Sequence, residues 1–315
     1  MNSPPRIAVL LPCYNEAAAI GQVVKAFYAA LPESQVYVYD NRSTDNTVEM
    51  ALAAGAIVRR EPRKGKGNVV RRMFADIDAD IYVLADGDCT YDASAAPQLI
   101  HTLLQEKLDM VVGTRVDSEL GQALYRKGHR LGNALFTKIV GSLFGNHFTD
   151  ILSGYRAFSR RFVKSFPALS RGFDIEAELT IHSLELRIPV GEVATPYFSR
   201  PEGSQSKLNK YRDGIVILFR IISMLKETRP FFFFTFIALV FAMLSVFLAI
   251  PLFYSYFTIG LVPRIPTAIL TTGVMILACI SFMCGIMLDS VCRGRRERKY
   301  LHYLSLPWLL VTDDE

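Results

Sequence analysis

Residues 81–88 read Ile81-Tyr82-Val83-Leu84-Ala85-Asp86-Gly87-Asp88, and this stretch decides the fold. Five apolar residues in a row form a strand buried on both faces. Two carboxylates flanking a glycine then end it abruptly. Working outward, strands fall at Ile7–Leu11, Gln35–Asp40, Ala56–Arg60 and Met110–Gly113. Helices fall between them, at Ala17–Ala30, Asp45–Ala54, Gly67–Asp76 and Ala95–Glu106. Alternating β and α elements predict an α/β domain with a mostly parallel central sheet. Ligands of such sheets bind beyond the carboxyl ends of the strands. Three polar segments lie there: Pro12–Glu16, Asp40–Asp45 and Asp86–Asp88.

Nucleotide-binding signatures are scarce. Gly65-Lys66-Gly67-Asn68-Val69-Val70 starts like a dinucleotide fingerprint but has Val70 at the third glycine position and is not at the first strand. No G-x-x-x-x-G-K-[ST] occurs, which excludes a P-loop. The acidic segment is the better lead. Asp86 and Asp88, one residue apart on a turn that Gly87 permits, can meet one divalent cation and the diphosphate it carries. Magnesium and manganese prefer such oxygen ligands and share their shell with substrate phosphates. Taken alone, Asn15/Glu16 and Ser43–Asp45 read as capping residues of the next helices. A helix N-terminus also offers free N–H groups to phosphate.

The ordered set Pro12-Cys13-Tyr14-Asn15-Glu16, Asp40-Asn41-Arg42-Ser43-Thr44-Asp45, Asp86-Gly87-Asp88 and Gly113-Thr114-Arg115 resembles family 2 glycosyltransferases of the GT-A fold. Asp150-Ile151-Leu152-Ser153-Gly154-Tyr155-Arg156 and Arg200-Pro201-Glu202-Gly203-Ser204-Gln205-Ser206-Lys207 narrow the likeness to polyprenyl-phosphate sugar synthases. The resemblance spans about residues 6–228. It implies transfer from a nucleotide sugar to a polyprenyl phosphate, with inversion at the anomeric carbon. Asp40 and Asn41 would read the nucleoside, in a pocket shaped by Pro12, Tyr14 and Glu16. Asn15, Asp45, Lys66 and Gly87 complete the expected nucleotide-sugar set. Asp86 and Asp88 would hold Mg2+ or Mn2+. Arg115 and Arg200 would face the lipid phosphate, with Arg126, Arg130 and Lys207 as further basic candidates. Asp150 matches a catalytic aspartate position. The family often has a second Asp where Asn41 stands, and a metal-side ligand where Thr90 stands.

Sugar transfer expels a nucleoside diphosphate with rising negative charge, which a cation stabilises as a Lewis acid. The nucleophile, a phosphomonoester with a second pKa near 6, is mostly a dianion at neutral pH. It needs positioning more than deprotonation, and arginine supplies that through paired contacts. Asp150 therefore reads either as a base or as a group orienting an arginine or the sugar.

The 315 residues are 51% hydrophobic, which excludes a disordered tail, and 20 Gly with 15 Pro exclude a collagen-like chain. Much of the apolar content is local. No charged side chain occurs between Arg229 and Arg264, nor from Ile265 to Leu288. Each run holds about 23 apolar residues, roughly 34 Å as helix, enough to cross a hydrocarbon core of about 30 Å. Lys207, Lys210, Arg212, Arg220, Lys226 and Arg229 precede the first run, and Arg293, Arg295, Arg296, Arg298 and Lys299 follow the second. The loop between has only Arg264, so both ends are expected in the cytoplasm at the inner membrane. Leu208, Tyr211, Ile215, Leu218, Ile222 and Leu225 recur at helical spacing ahead of the first run, an amphipathic helix suited to the membrane surface.

The expected organisation is a GT-A domain over 1–206, the amphipathic helix over 207–229, a transmembrane helical hairpin over 230–289 (spans 231–253 and 266–288) and a basic tail over 290–315. Phe231–Phe234 reads as an interfacial belt, and His129 and His147 as structural residues. Met1–Arg6 lacks an apolar core behind a basic start, so no cleaved signal is expected. Five cysteines without paired spacing speak for free thiols. The net charge of +5 is mild, and no nucleic-acid partner is expected. Expected partners are the bilayer, a polyprenyl phosphate and one of UDP-glucose, UDP-N-acetylglucosamine or GDP-mannose, with a homo-oligomer open. A processive polysaccharide synthase would carry a Q-x-x-R-W-type motif and more spans, whereas the only tryptophan is Trp308, after Pro307. A non-catalytic scaffold would have no need of Asp86 and Asp88.

Overall fold

The computed structural model describes residues 4–117, 148–170, 172, 175–199, 223 and 225–308. Two compact units emerge: Met1–Gly214 with Lys299–Glu315, and Ile215–Arg298.

In the first unit, β1 (Ile7–Cys13), β2 (Gln35–Asp40), β3 (Ile57–Arg60), β4 (Ile81–Leu84), β5 (Met110–Asp117), β6 (Arg156–Ser159) and β7 (Val190–Tyr197) make one sheet, in the order β3-β2-β1-β4-β6-β5-β7. β1 pairs in parallel with β2 and β4, β2 with β3, and β5 with β7. Among the described residues, only β6 runs antiparallel in this sheet, wedged between β4 and β5. Val9, Leu11, Val36, Val38 and Val83 are fully buried at its centre. The helix α1 (Ile20–Ala30) buries Ile20, Val23, Val24 and Phe27, one stripe at spacings of three and four. α2 (Thr47–Ala53) and α3 (Lys66–Asp76) follow β2 and β3. α4 (Ala96–Gln105) repeats the stripe with Ala96, Leu99, Ile100 and Leu103.

Sequence patterning places no strand beyond Val116, yet the structure adds β6, β7 and two helices, α5 (Arg160–Ser165) and α6 (Ile175–Leu186). β6, Arg156-Ala157-Phe158-Ser159, is polar at both ends and presents no apolar run. α6 buries Glu176, Thr180, His182 and Ser183 along with its apolar residues, so no clean stripe exists.

His182 of α6 packs edge-on against Phe162 and Phe166, at ring-centroid distances of 5.7 and 5.2 Å. Neither ring nitrogen has a hydrogen-bond partner among the described residues. Burial, with Lys299 adding, pushes its pKa down to about 3. The unfolded chain takes up this proton below about pH 6.5 and the folded chain does not, so stability falls as pH drops from there toward 3. At pH 5 the loss is about 2 kcal/mol. His182→Leu should remove that share: its melting temperature in detergent falls less between pH 7 and pH 5 than the parent's. An equal fall in both proteins would contradict this.

Residues near the C-terminus also belong to this unit. The Tyr303 hydroxyl donates to Asp109 Oδ2 at 2.5 Å, and the Arg161 guanidinium lies 4.3 Å from the Tyr303 ring while pairing with Asp109 at 2.7 Å. Lys299 pairs with Glu185 at 3.2 Å, and Trp308 Nε1 donates to the Leu108 carbonyl at 2.9 Å.

The second unit contains α7 (Pro230–Ile259) and most of α8 (Ile265–Leu304). Both are long and apolar enough to cross a membrane, and little of their apolar windows is buried. α7 ends on Gly260, whose φ of 74° suits the left-handed C-terminal position. A side chain at Gly285 would meet Phe234 Cβ at 3.1 Å, so glycine lets the two helices approach there. Both helices outrun the expected spans. The residues expected as a basic tail from 290 continue α8 to Leu304, because Arg, Glu and Lys are good helix formers.

Candidate functional site

β1, β2 and β4 end side by side and present three loops at one edge of the sheet. The first two are stitched together. The Asn15 N–H donates to Ser43 Oγ at 2.8 Å, and the Thr44 N–H to Asn15 Oδ1 at 2.8 Å. The Glu16 N–H donates to Thr47 Oγ1 at 2.9 Å, and the Ala17 N–H to Asp45 Oδ2 at 3.1 Å. Asn15 and Ser43 thus bond across loops rather than capping the helices that follow them. Asn15 and Arg42 have φ of 54° and 67°, local strain that these loops hold in place.

Asp40, Arg42, Ser43, Asp45, Arg60 and Glu61 are among the residues lining a cleft of about 280 Å³ beyond β2 and β3. Asn41 is bonded to the next loop. Its Nδ2 donates to the carbonyls of Glu61 (3.0 Å) and Arg63 (2.8 Å), and its Oδ1 accepts from the Gly65 N–H (2.7 Å). The amide therefore folds the 61–65 loop that leads into Lys66. Tyr14, after Pro12 of β1, has Lys64 Nζ 5.7 Å from its ring centre.

Cys13, at the end of β1, is buried. Burial pushes its thiol up, and Glu16, Asp86, Asp40 and Asp88 push it further. A side chain on Gly87 would fall 2.5 Å from Cys13 Sγ, so the residue between the two acids must lack one. Asp88 is 3% exposed, and its Oδ1 accepts from the Thr90 hydroxyl (2.6 Å) and N–H (3.2 Å). Thr90 thus orients Asp88. Asp86 pairs with Lys66, whose ammonium also meets buried Glu176 at 2.5 Å. Burial opposes the charge on Lys66, but Asp86 and Glu176 prevail and raise its pKa.

Clustered carboxylates of this kind suit a hard divalent cation. Among the described residues no set of three His, Cys, Asp or Glu side chains is arranged for a metal. Asp86 and Asp88 are the two carboxylates at the end of β4 that could hold one.

The antiparallel β6 completes the edge. Arg156, its first residue, sits opposite Leu84 of β4 and Val112 of β5. The 150–155 loop before it therefore enters between the ends of those strands. Asp150 grips Arg115 of β5 with both oxygens, at 2.7 and 2.8 Å. Burial works against the Asp150 charge, but the hydrogen bonds and charge of Arg115 hold it below the ordinary carboxylate range. Arg115 also lies 5.6 Å from the Tyr197 ring centre. Gly154 donates its N–H to Tyr91 Oη at 2.9 Å, and a methyl on it would crowd Lys66 Nζ and Asp86 Oδ2 at 3.1 and 3.2 Å. Arg126, Arg130, Arg200 and Lys207 lie outside the described residues, as do His129 and His147.

The family profile described as "Glycosyl transferase family 2" matches residues 8–166, the span that builds this edge. Glycosyltransferase AglJ of Haloferax volcanii is 32% identical over 300 residues, covering 95% of this chain and 97% of that protein. The chain belongs to glycosyl transferase family 2. As a family 2 glycosyltransferase it has further relatives. A dolichyl-phosphate hexose transferase of the same organism is 27% identical over 71% of this chain and 95% of its own. Glucosyl-3-phosphoglycerate synthase of Mycobacterium tuberculosis, crystallised with Mn2+, UDP and glucosyl-3-phosphoglycerate, superposes with a TM-score of 0.57 at 25% identity, over 70% of this chain and 79% of its own. The GT-A-like fold read from Asp86-Gly87-Asp88 and its companions is thereby shown, and the protein is a glycosyltransferase. Sequence reasoning missed Glu176, Tyr91 and Arg156. Glu176 meets Lys66 across 110 residues of chain, a pairing no local pattern signals.

Proposed function

We propose that this glycosyltransferase moves a sugar from a nucleoside-diphosphate donor to a polyprenyl phosphate at the cytoplasmic face of a membrane that α7 and α8 span. One observation carries the reading: the loop that begins at Asp150, the partner of Arg115, packs its Gly154 against Asp86 and Lys66, so the acid pair and the Arg115–Asp150 pair are joined by one short loop at one sheet edge. The first suits a donor's diphosphate and cation, the second an acceptor's phosphate. The dolichyl-phosphate transferase among the relatives supports that acceptor class. The cleft lined by Asp40 and Arg60 would take the nucleoside.

Asp86 and Asp88 would hold Mg2+ or Mn2+, which when bound stabilises the charge on the departing diphosphate. Lys66 places a second positive charge beside Asp86. Arg115, kept in line by Asp150, would aim the lipid's phosphate oxygen at the anomeric carbon. The new bond forms from that oxygen, the bond to the nucleoside diphosphate breaks, and the anomeric configuration inverts. The acceptor arrives as a dianion, so no protein base has to take a proton. Apolar helices that hold the enzyme at the bilayer raise the effective concentration of a lipid confined there.

Detergent-solubilised enzyme incubated with undecaprenyl phosphate and labelled UDP-glucose, UDP-N-acetylglucosamine or GDP-mannose tests this. One donor should give a lipid-linked product, and a chelator should abolish it until Mg2+ or Mn2+ is restored. Label appearing only in a water-soluble product, or transfer indifferent to the chelator, would overturn the reading.

A further inference from the structure

Among the described residues, Arg156 is the largest side chain that is fully buried, and its hydrogen bonds go to carbonyls and a hydroxyl rather than to a carboxylate. Its Nε donates to the Ser153 carbonyl (2.9 Å) and its Nη2 to the Ile151 carbonyl (2.6 Å). Its Nη1 donates to Thr180 Oγ1 on α6 (2.9 Å) and approaches Met110 Sδ at 3.5 Å. Burial lowers its pKa to about 10, which leaves it charged at neutral pH. A buried charge is costly to desolvate, and an apolar side chain would fill the same space without that cost. What the guanidinium adds is a fork of donors reaching two carbonyls of one loop and a neighbouring helix.

That loop is the one that carries the site. Asp150, the partner of Arg115, immediately precedes Ile151. Gly154, against Lys66 and Asp86, immediately follows Ser153. Thr180 lies one turn beyond Glu176, and its hydroxyl also donates to the Glu176 carbonyl at 3.1 Å. Arg156 thus reaches, from inside the sheet, the loop that presents the Arg115 pair and the helix that presents the partner of Lys66.

We propose that Arg156 is a positioning residue for transfer: by holding the Ile151 and Ser153 carbonyls and Thr180, it sets the acceptor-side Arg115–Asp150 pair against the donor-side Lys66–Asp86–Glu176 cluster. The kinetic half of its test rests on the function proposed above; the exchange half does not. Arg156→Met, Arg156→Lys and Thr180→Val are compared with the parent in detergent. Amide hydrogen exchange at residues 151–155 should accelerate at least about tenfold in Arg156→Met, while β1 and β2 stay protected. Affinity for UDP in the presence of Mn2+ should stay within about threefold, because the cleft beyond β2 and β3 is built by other elements. With undecaprenyl phosphate as acceptor, kcat should fall about 10- to 100-fold and the acceptor KM should rise. Arg156→Lys should recover part of kcat, since an ammonium can still reach a loop carbonyl. Thr180→Val should move the same quantities in the same direction by less.

Unchanged exchange at 151–155 overturns the proposal whether or not transfer is detected. So does a loss in which UDP affinity and kcat fall together. If Arg156→Met does not fold, Thr180→Val decides, and unchanged loop exchange there overturns the proposal. A parent enzyme that transfers no sugar sinks the function proposed above, and the exchange measurement still decides the role of Arg156.

Discussion

Asp88→Ala is expected to lower sugar transfer by about 100- to 1,000-fold, with a melting temperature close to the parent's. Asp88 stands just beyond β4, 3% exposed, with one oxygen fixed by Thr90. Its neighbour Asp86 is already engaged by Lys66, so Asp88 is the acid on which a cation would depend most. Removing such a ligand forfeits part of several kcal/mol of leaving-group stabilisation, and each 1.36 kcal/mol is about tenfold in rate. The fold should tolerate the change, since the Thr90 contacts of Asp88 lie within its own turn. Calorimetry provides the second readout: the variant's affinity for UDP should no longer respond to Mn2+. Undiminished transfer by Asp88→Ala would remove the cation from Asp86 and Asp88.

Asp150 offers the second large effect and separates two roles. As an obligatory base it would be lost equally in Asp150→Asn and Asp150→Ala. As the holder of Arg115 it should survive better as asparagine, which keeps one acceptor oxygen. We expect Asp150→Ala to lose about 100-fold or more in kcat/KM for the lipid phosphate, and Asp150→Asn about tenfold. Alanine also leaves a largely buried guanidinium without its bidentate partner, a change that costs about 3–5 kcal/mol in buried pairs. Its melting temperature should drop accordingly. The pH behaviour has a definite sign. A carboxyl held below its ordinary range contributes stability above its unfolded pKa of about 3.9 and loses it as pH falls through the lower folded value. Between pH 5 and 8 the rate should therefore show no limb belonging to Asp150. A limb in that window that disappears in Asp150→Asn would restore the base assignment.

β1, β2, β4 and β5 were legible because each is a short, mainly apolar run between turn residues. The acid pair was legible because Ile81–Ala85 stops so sharply against it. The structural task of Asn41 was not legible: its type and place suggested contact with a nucleoside, and no local pattern signals that its amide also bonds to the backbone of Glu61, Arg63 and Gly65. Asn15 and Ser43 looked like helix caps because such residues usually are, yet they bond across two loops distant in sequence. Arg156 stood in plain view after Ser153-Gly154-Tyr155, but full burial of an arginine cannot be read from its neighbours. Glu176 was hidden for a similar reason, since α6 mixes polar and apolar residues on its buried faces.

Tyr303 and Arg161 converge on Asp109, a carboxylate with no exposed surface. The polypeptide leaves the sugar-transferring unit, runs through both apolar helices, and then hands back one of the groups that satisfy its interior. A fragment severed ahead of α7, the obvious choice for soluble expression, would retain every strand and still strip Asp109 of a donor and Arg161 of its aromatic cover. Poor behaviour of such a fragment would then report a missing piece of its own architecture rather than a need for lipid, and supplying residues 299–308 through a short linker is the remedy the structure indicates.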